Sequence, residues 1–141
     1  MNVGAALRVH LADELAAGRE FESLLKAERD ALLCGDADAL PELARHKVEL
    51  ARRISELGAM RREKSAGVAR TEFARLRGEL KECARSIRDL TQHNEALLGL
   101  RLQQVNAALS ILLAQGSSAP EVYSPDGLAR SGHSPRPRAI A

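Results

Sequence analysis

Leucine, isoleucine and valine recur along residues 3 to 114 at steps of three and four, the period of a helix that turns one apolar face to a neighbour. The cleanest stripe is Leu40, Leu43, Lys47, Leu50, Ile54 and Leu57, with steps of 3, 4, 3, 4 and 3. A second stripe, Phe73, Leu76, Leu80, Cys83, Ile87 and Leu90, repeats that spacing. An earlier helix is carried by Val3, Leu7, Leu11, Leu15, Phe21, Leu25 and Leu32. After residue 114 the chain turns to Gly, Ser and Pro. The pattern predicts an all-α fold, an elongated antiparallel bundle of three long helices with a disordered C-terminal tail.

Local signals place the ends. Helix 1 is predicted over about 3 to 33 and stops at Cys34-Gly35-Asp36, where Gly35 suits the left-handed C-terminal position. Asp38 is the expected cap of helix 2, over about 39 to 60, and Pro41 falls in its first turn, where the missing N–H costs nothing. Gly58, Ser65 and Gly67 point to a connection within 58 to 70, and Thr71 to the cap of helix 3. Helix 3 would run to about Ala114, roughly 65 Å at 1.5 Å per residue. Near Asn94 its stripe changes register and continues through Leu98, Leu102, Val105, Leu109 and Leu112. The expected domains are therefore a helical one over 1–114 and a flexible tail over 115–141.

Composition narrows the core. With two Phe, one Tyr and no Trp, Leu and Ala must build a thin interior. The 21 basic and 19 acidic residues interleave in i, i+4 pairs such as Glu22 with Lys26 and Glu49 with Arg53, the pattern of solvated helix faces. The densest basic patch, Arg61, Arg62, Lys64, Arg70, Arg75 and Arg77, has no aromatic platform beside it and reads as an inter-helix connection, not a nucleic-acid site. Arg8, His10, Asp13 and Glu14 interrupt the first apolar run before a secretory signal can form, and no apolar window reaches the length of a membrane span. A cytoplasmic protein without membrane insertion is expected, with Cys34 and Cys83 reduced and facing the core.

Catalytic patterns are missing. His10, His46, His93 and His133 lie in no HExxH or ExxH spacing, so neither a metal site nor an enzyme is expected, and no glycine cluster precedes a helix to hold phosphate. No cofactor is implied. Asp89 and His93 share a helix face at i, i+4 and read as a surface pair. Lys47, on an otherwise apolar stripe, reads as a snorkelling lysine, with a partner's carboxylate as the other reading.

Helix lengths carry the functional argument. Helix 3 is longer than either predecessor, so a three-helix packing cannot cover the whole of its stripe. The stretch from Leu98 to Leu113 is the part expected to be uncovered, and an exposed apolar face of that size marks a partner site. The alternative is a homodimer, a self-associating coiled coil that buries the same face.

The order Leu25-x-x-Glu28-x-x-Ala31-Leu32-x-x-Gly35-Asp36, then Leu40-x-x-Leu43-x-x-x-Lys47-x-x-Leu50, then a long helix with Asn94 and Arg101, then Tyr123-Ser124-Pro125-Asp126-Gly127, resembles the FlgN family of flagellar type III export chaperones. Where that family commonly has Asn-x-x-Asn-Gly in its last helix, this chain keeps Asn94 but has Leu97 and Leu98. A stiffer helix is expected there, because Gly is a poor helix former. The resemblance implies a chaperone that uses no ATP, binds the hook-filament junction proteins FlgK and FlgL and delivers them to the export gate protein FlhA. It further implies cargo binding by Leu98, Leu102, Val105, Leu109 and Leu112, as an amphipathic cargo helix would lie on that stripe. Gate docking would fall to Tyr123, Pro125, Asp126 and Gly127, since a lone aromatic on a polar arm can anchor in a partner's pocket.

Overall fold

The computed structural model describes residues 2–117. Three helices account for nearly all of them: α1 (Val3–Cys34), α2 (Leu40–Lys64) and α3 (Ala74–Ser117). The all-α bundle expected from the periodicity is what forms, and no strand occurs among the described residues. Residues up to Gln104 make one compact unit, and Val105 begins a second, of which the end of α3 is described.

Cross-helix pairs fix the directions. Glu14 meets Arg61, Glu20 meets Arg53 and Glu28 meets Lys47, so one number rises as the other falls and α2 runs antiparallel to α1. On the other side Arg19 meets Glu79, Glu22 meets Ser86, Leu25 meets Asn94 and Leu32 meets Arg101, so α3 runs parallel to α1. The first helix thus has a neighbour on each side, and it supplies most of the core: Leu7, Leu11 and Leu25 are fully enclosed, with Leu15, Ala17 and Leu32 nearly so. Each such leucine contributes about 1.5–3 kcal/mol of burial. From the other helices Leu50, Cys83 and Asn94 reach the interior.

Two glycines have specific work in this packing. Gly35 takes φ +73 just past α1, the left-handed conformation expected of it. Gly18 lets α1 and α3 approach so closely that a Cβ there would lie 2.9 Å from the Cys83 sulfur.

The helix ends depart from expectation in three places. The second helix has no side-chain cap: Ala39, not the expected Asp38, stands at its N-cap, and the Asp36 Oδ1 accepts from the Ala39 amide at 3.3 Å in the turn before it. The second helix runs on to Lys64, passing through Gly58, and closes where the Ser65 amide and hydroxyl both donate to the Arg61 carbonyl. The third helix begins at Ala74 and not at Thr71. Phe73, just before it, takes φ 59 while its carbonyl accepts from the Arg77 amide, and its ring sits beside Gly4 of the first helix.

Candidate functional site

The polar residues inside the bundle form a three-helix clasp. Glu28 of α1 accepts from the Lys47 ammonium of α2 at 2.6 Å through Oε1 and from the Asn94 amide of α3 at 2.8 Å through Oε2. The Asn94 Nδ2 also donates to the Leu25 carbonyl at 2.8 Å, and its own Oδ1 has no hydrogen-bond partner. The two oxygens of the Glu28 carboxylate each serve a donor arriving from a different helix. Lys47 therefore belongs to an internal pair. Its place on an apolar stripe made sense only once the facing side of α1 was known.

Two further polar contacts tie the helices. The Arg101 guanidinium donates from Nε to the Leu32 carbonyl at 2.9 Å and from an Nη to the Leu33 carbonyl at 2.8 Å. These are among the last carbonyls of α1, which its own helix leaves without donors, and a cation is favoured at that negative end. Arg61 pairs through two nitrogens with the buried carboxylate of Glu14. Elsewhere in the basic patch Arg77 donates to the Glu72 carbonyl and Arg75 to Glu79, both at the exposed surface. At the surface the predicted Glu22–Lys26 pair forms at 3.1 Å, whereas Arg53 reaches toward Glu20. The Glu22 carboxyl is held below the usual carboxylate range, first by the Ser86 hydroxyl donating to it and then by Lys26.

The cysteines divide. Cys83 is buried, and burial pushes its thiol above the ordinary value, with the Glu22 charge adding to it. Cys34, expected in the core, is exposed: it closes the last turn of α1 where the chain leaves the bundle. Both are free thiols. Leu11, Gly18, Ile54, Leu80, Cys83 and Ile87, with Glu14 and Arg61, line an open cleft of about 350 Å³ between the helices.

From Leu98 onward the character of α3 changes. Leu98, Leu102, Val105, Leu109 and Leu112 are 45%, 55%, 54%, 50% and 63% exposed, and every residue from Gly99 to Gly116 is exposed. Contrary to expectation, an 18-residue window of this helix is long and apolar enough to cross a membrane. A search for unbroken apolar runs misses it because Arg101, Gln103, Gln104 and Asn106 interrupt the leucines without outweighing them. Here Arg101 is bonded to the end of α1.

The family whose description is FlgN protein matches residues 1–131. The chain belongs to the FlgN family. No curated protein and no solved structure matches it. FlgN proteins are flagellar export chaperones and not enzymes. The residues that carried the resemblance take a definite place in this FlgN chain: Leu25, Glu28, Lys47 and Asn94 form or receive the clasp, and Arg101 caps α1 beside Gly35. They hold the bundle together. Leu97 and Leu98 stand within an unbroken α3. Tyr123, Pro125, Asp126 and Gly127 lie outside the described residues.

Proposed function

We propose that this FlgN-family protein is a cytoplasmic chaperone that keeps hook-filament junction proteins of the FlgK and FlgL kind from premature association and hands them to the export gate protein FlhA. The observation that supports this reading is the apolar stripe Leu98, Leu102, Val105, Leu109 and Leu112, half exposed or nearly so on the end of α3. A client segment that folds as an amphipathic helix can complete this face as one more helix of a bundle, removing the leucines from water. Burial at about 25 cal/mol per Å² of apolar surface gives such a contact its drive, and the ordering of the client segment offsets part of it. Tyr123, with Pro125, Asp126 and Gly127, is the segment we assign to gate docking.

The test pairs Leu102→Asp with Leu109→Asp in one chain. Both side chains are solvated, so the charges leave helicity intact by circular dichroism, while capture of a FlgK-like or FlgL-like protein is lost. Loss of the fold together with capture would mean that this face is internal and would remove the argument. Tyr123→Ala in the same assay keeps the client and weakens binding to the gate's cytoplasmic domain.

A further inference from the structure

The first helix covers the apolar stripes of the other two only in part. Leu50 and Cys83 are buried, whereas Ile54 of α2 and Leu80 and Ile87 of α3 stay half-buried. These three side chains line the open cleft of about 350 Å³, with Leu11 and Gly18 of α1 beneath them. Because α2 runs antiparallel to α1 and α3 parallel to it, the walls of the cleft are two antiparallel helices. From Arg77 to Ile87 the α3 wall is about 15 Å long, close to three turns.

The charge around this cleft is one-sided. Arg61, Arg77 and Lys81 line it, and Glu14, the one carboxylate among the lining residues, is already held by Arg61. Arg77 donates to a neutral acceptor, the Glu72 carbonyl, and Lys81 is exposed with no hydrogen bond or ion pair among the described residues. Arg77, Lys81 and Arg88 follow at steps of 4 and 7 and so share one edge of α3, while Glu79 faces Arg19 of the first helix on the opposite side. Like charges at i, i+4 are unfavourable, so this edge gains from carboxylates laid along it.

We propose that the cleft receives an amphipathic helix of another protein, one whose apolar face is edged by acidic residues. Apolar side chains at i, i+4 and i+7 of the incoming helix enter between Ile54 and the Leu80–Ile87 wall, and the helix becomes the fourth of a bundle. Its acids lie against Lys81 and Arg77 at the exposed lip, where such pairs select the partner more than they tighten it. An apolar floor with no aromatic side chain among the lining residues does not suit nucleic acid. The cleft and the client stripe occupy different stretches of α3, so the proposal stands whatever Leu98 to Leu112 bind.

The test is fluorescence anisotropy with two labelled synthetic peptides, each with leucine at i, i+4, i+7 and i+11, one flanking the leucines with glutamate and the other with lysine. Both are titrated with the full chain and with its Leu102→Asp, Leu109→Asp form, because the client stripe can also take up a peptide. In both chains the glutamate peptide binds, and it is preferred over the lysine peptide by about tenfold at low salt. Lys81→Glu, at an exposed and unpaired position, removes most of that preference. Ala84→Phe, at the exposed lip of the cleft, blocks the entrance and abolishes binding to the Leu102→Asp, Leu109→Asp form, with helicity unchanged by circular dichroism. Equal binding of the two peptides overturns the proposal, as does a preference untouched by Lys81→Glu. Binding that survives Ala84→Phe in the Leu102→Asp, Leu109→Asp form, or that vanishes with the Leu102 and Leu109 changes alone, overturns it too. So does a doubled mass in sedimentation that Ala84→Phe returns to 15.3 kDa, since a second copy would then be the occupant.

Discussion

Replacing Glu28 by methionine removes both acceptors of the three-helix clasp while keeping the length of the side chain. The consequences for the two donors differ. Lys47 is about a third exposed, so its ammonium turns into water and the lost pair costs about 0–1 kcal/mol. Asn94 is 3% exposed and cannot reach solvent. Its Nδ2 keeps the Leu25 carbonyl but loses the Glu28 oxygen, and an orphaned buried donor costs about 1–3 kcal/mol. Together Glu28→Met should destabilise by about 1–4 kcal/mol, which for a bundle of this size is roughly 5 to 20 °C in Tm. Glu28→Gln should cost about half as much, since its single carbonyl can still serve Asn94 while Lys47 swings outward. The decisive variant adds Asn94→Leu to Glu28→Met. Removing donor and acceptor together leaves an apolar contact, and most of the stability should return. Thermal unfolding followed by circular dichroism measures all four chains. A Glu28→Met protein within about 0.5 kcal/mol of wild type, or a double variant no more stable than the single one, would refute the clasp.

Two shorter tests address the contact between the first and third helices. Gly18→Ala forces a methyl group to within 2.9 Å of the Cys83 sulfur and should cost about 1–3 kcal/mol in urea unfolding, most of it recovered by adding Cys83→Ala. Ser86→Ala removes the strongest cause of the lowered Glu22 pKa. Because the folded value is depressed, the stability that Glu22 contributes is full above the ordinary carboxylate range and is lost as pH falls through the folded pKa. Ser86→Ala should therefore be less stable than wild type near neutral pH and equal to it in acid, as denaturant midpoints across that range will read out.

Much of this protein is decided within a few residues along the chain. The period of the apolar positions, Gly35 after the first helix and Pro41 at the start of the second are local determinants, since helix bonds and caps join residues no more than a turn apart. That is why three helices and their approximate ends were legible. The bare end of the third helix was also legible, from length alone. The absence of a side-chain cap on the second helix was not, because the path of the turn leaves Asp38 short of its amides and puts Ala39 at the N-cap. Nor was the start of the third helix, where Phe73 takes a left-handed conformation with its ring beside Gly4 of the first helix.

What only the tertiary structure decided is which polar residues meet. Lys47, Glu28 and Asn94 are 19 and 66 residues apart in their pairs, and nothing local distinguishes Glu28 from the other glutamates of its helix. The crossing of three helices brings two donors to one carboxylate, and Arg101 to the open carbonyls of the first helix. Such pairings follow from the rotation of each helix about its axis, which is set by packing all the apolar stripes at once and is written in no single segment.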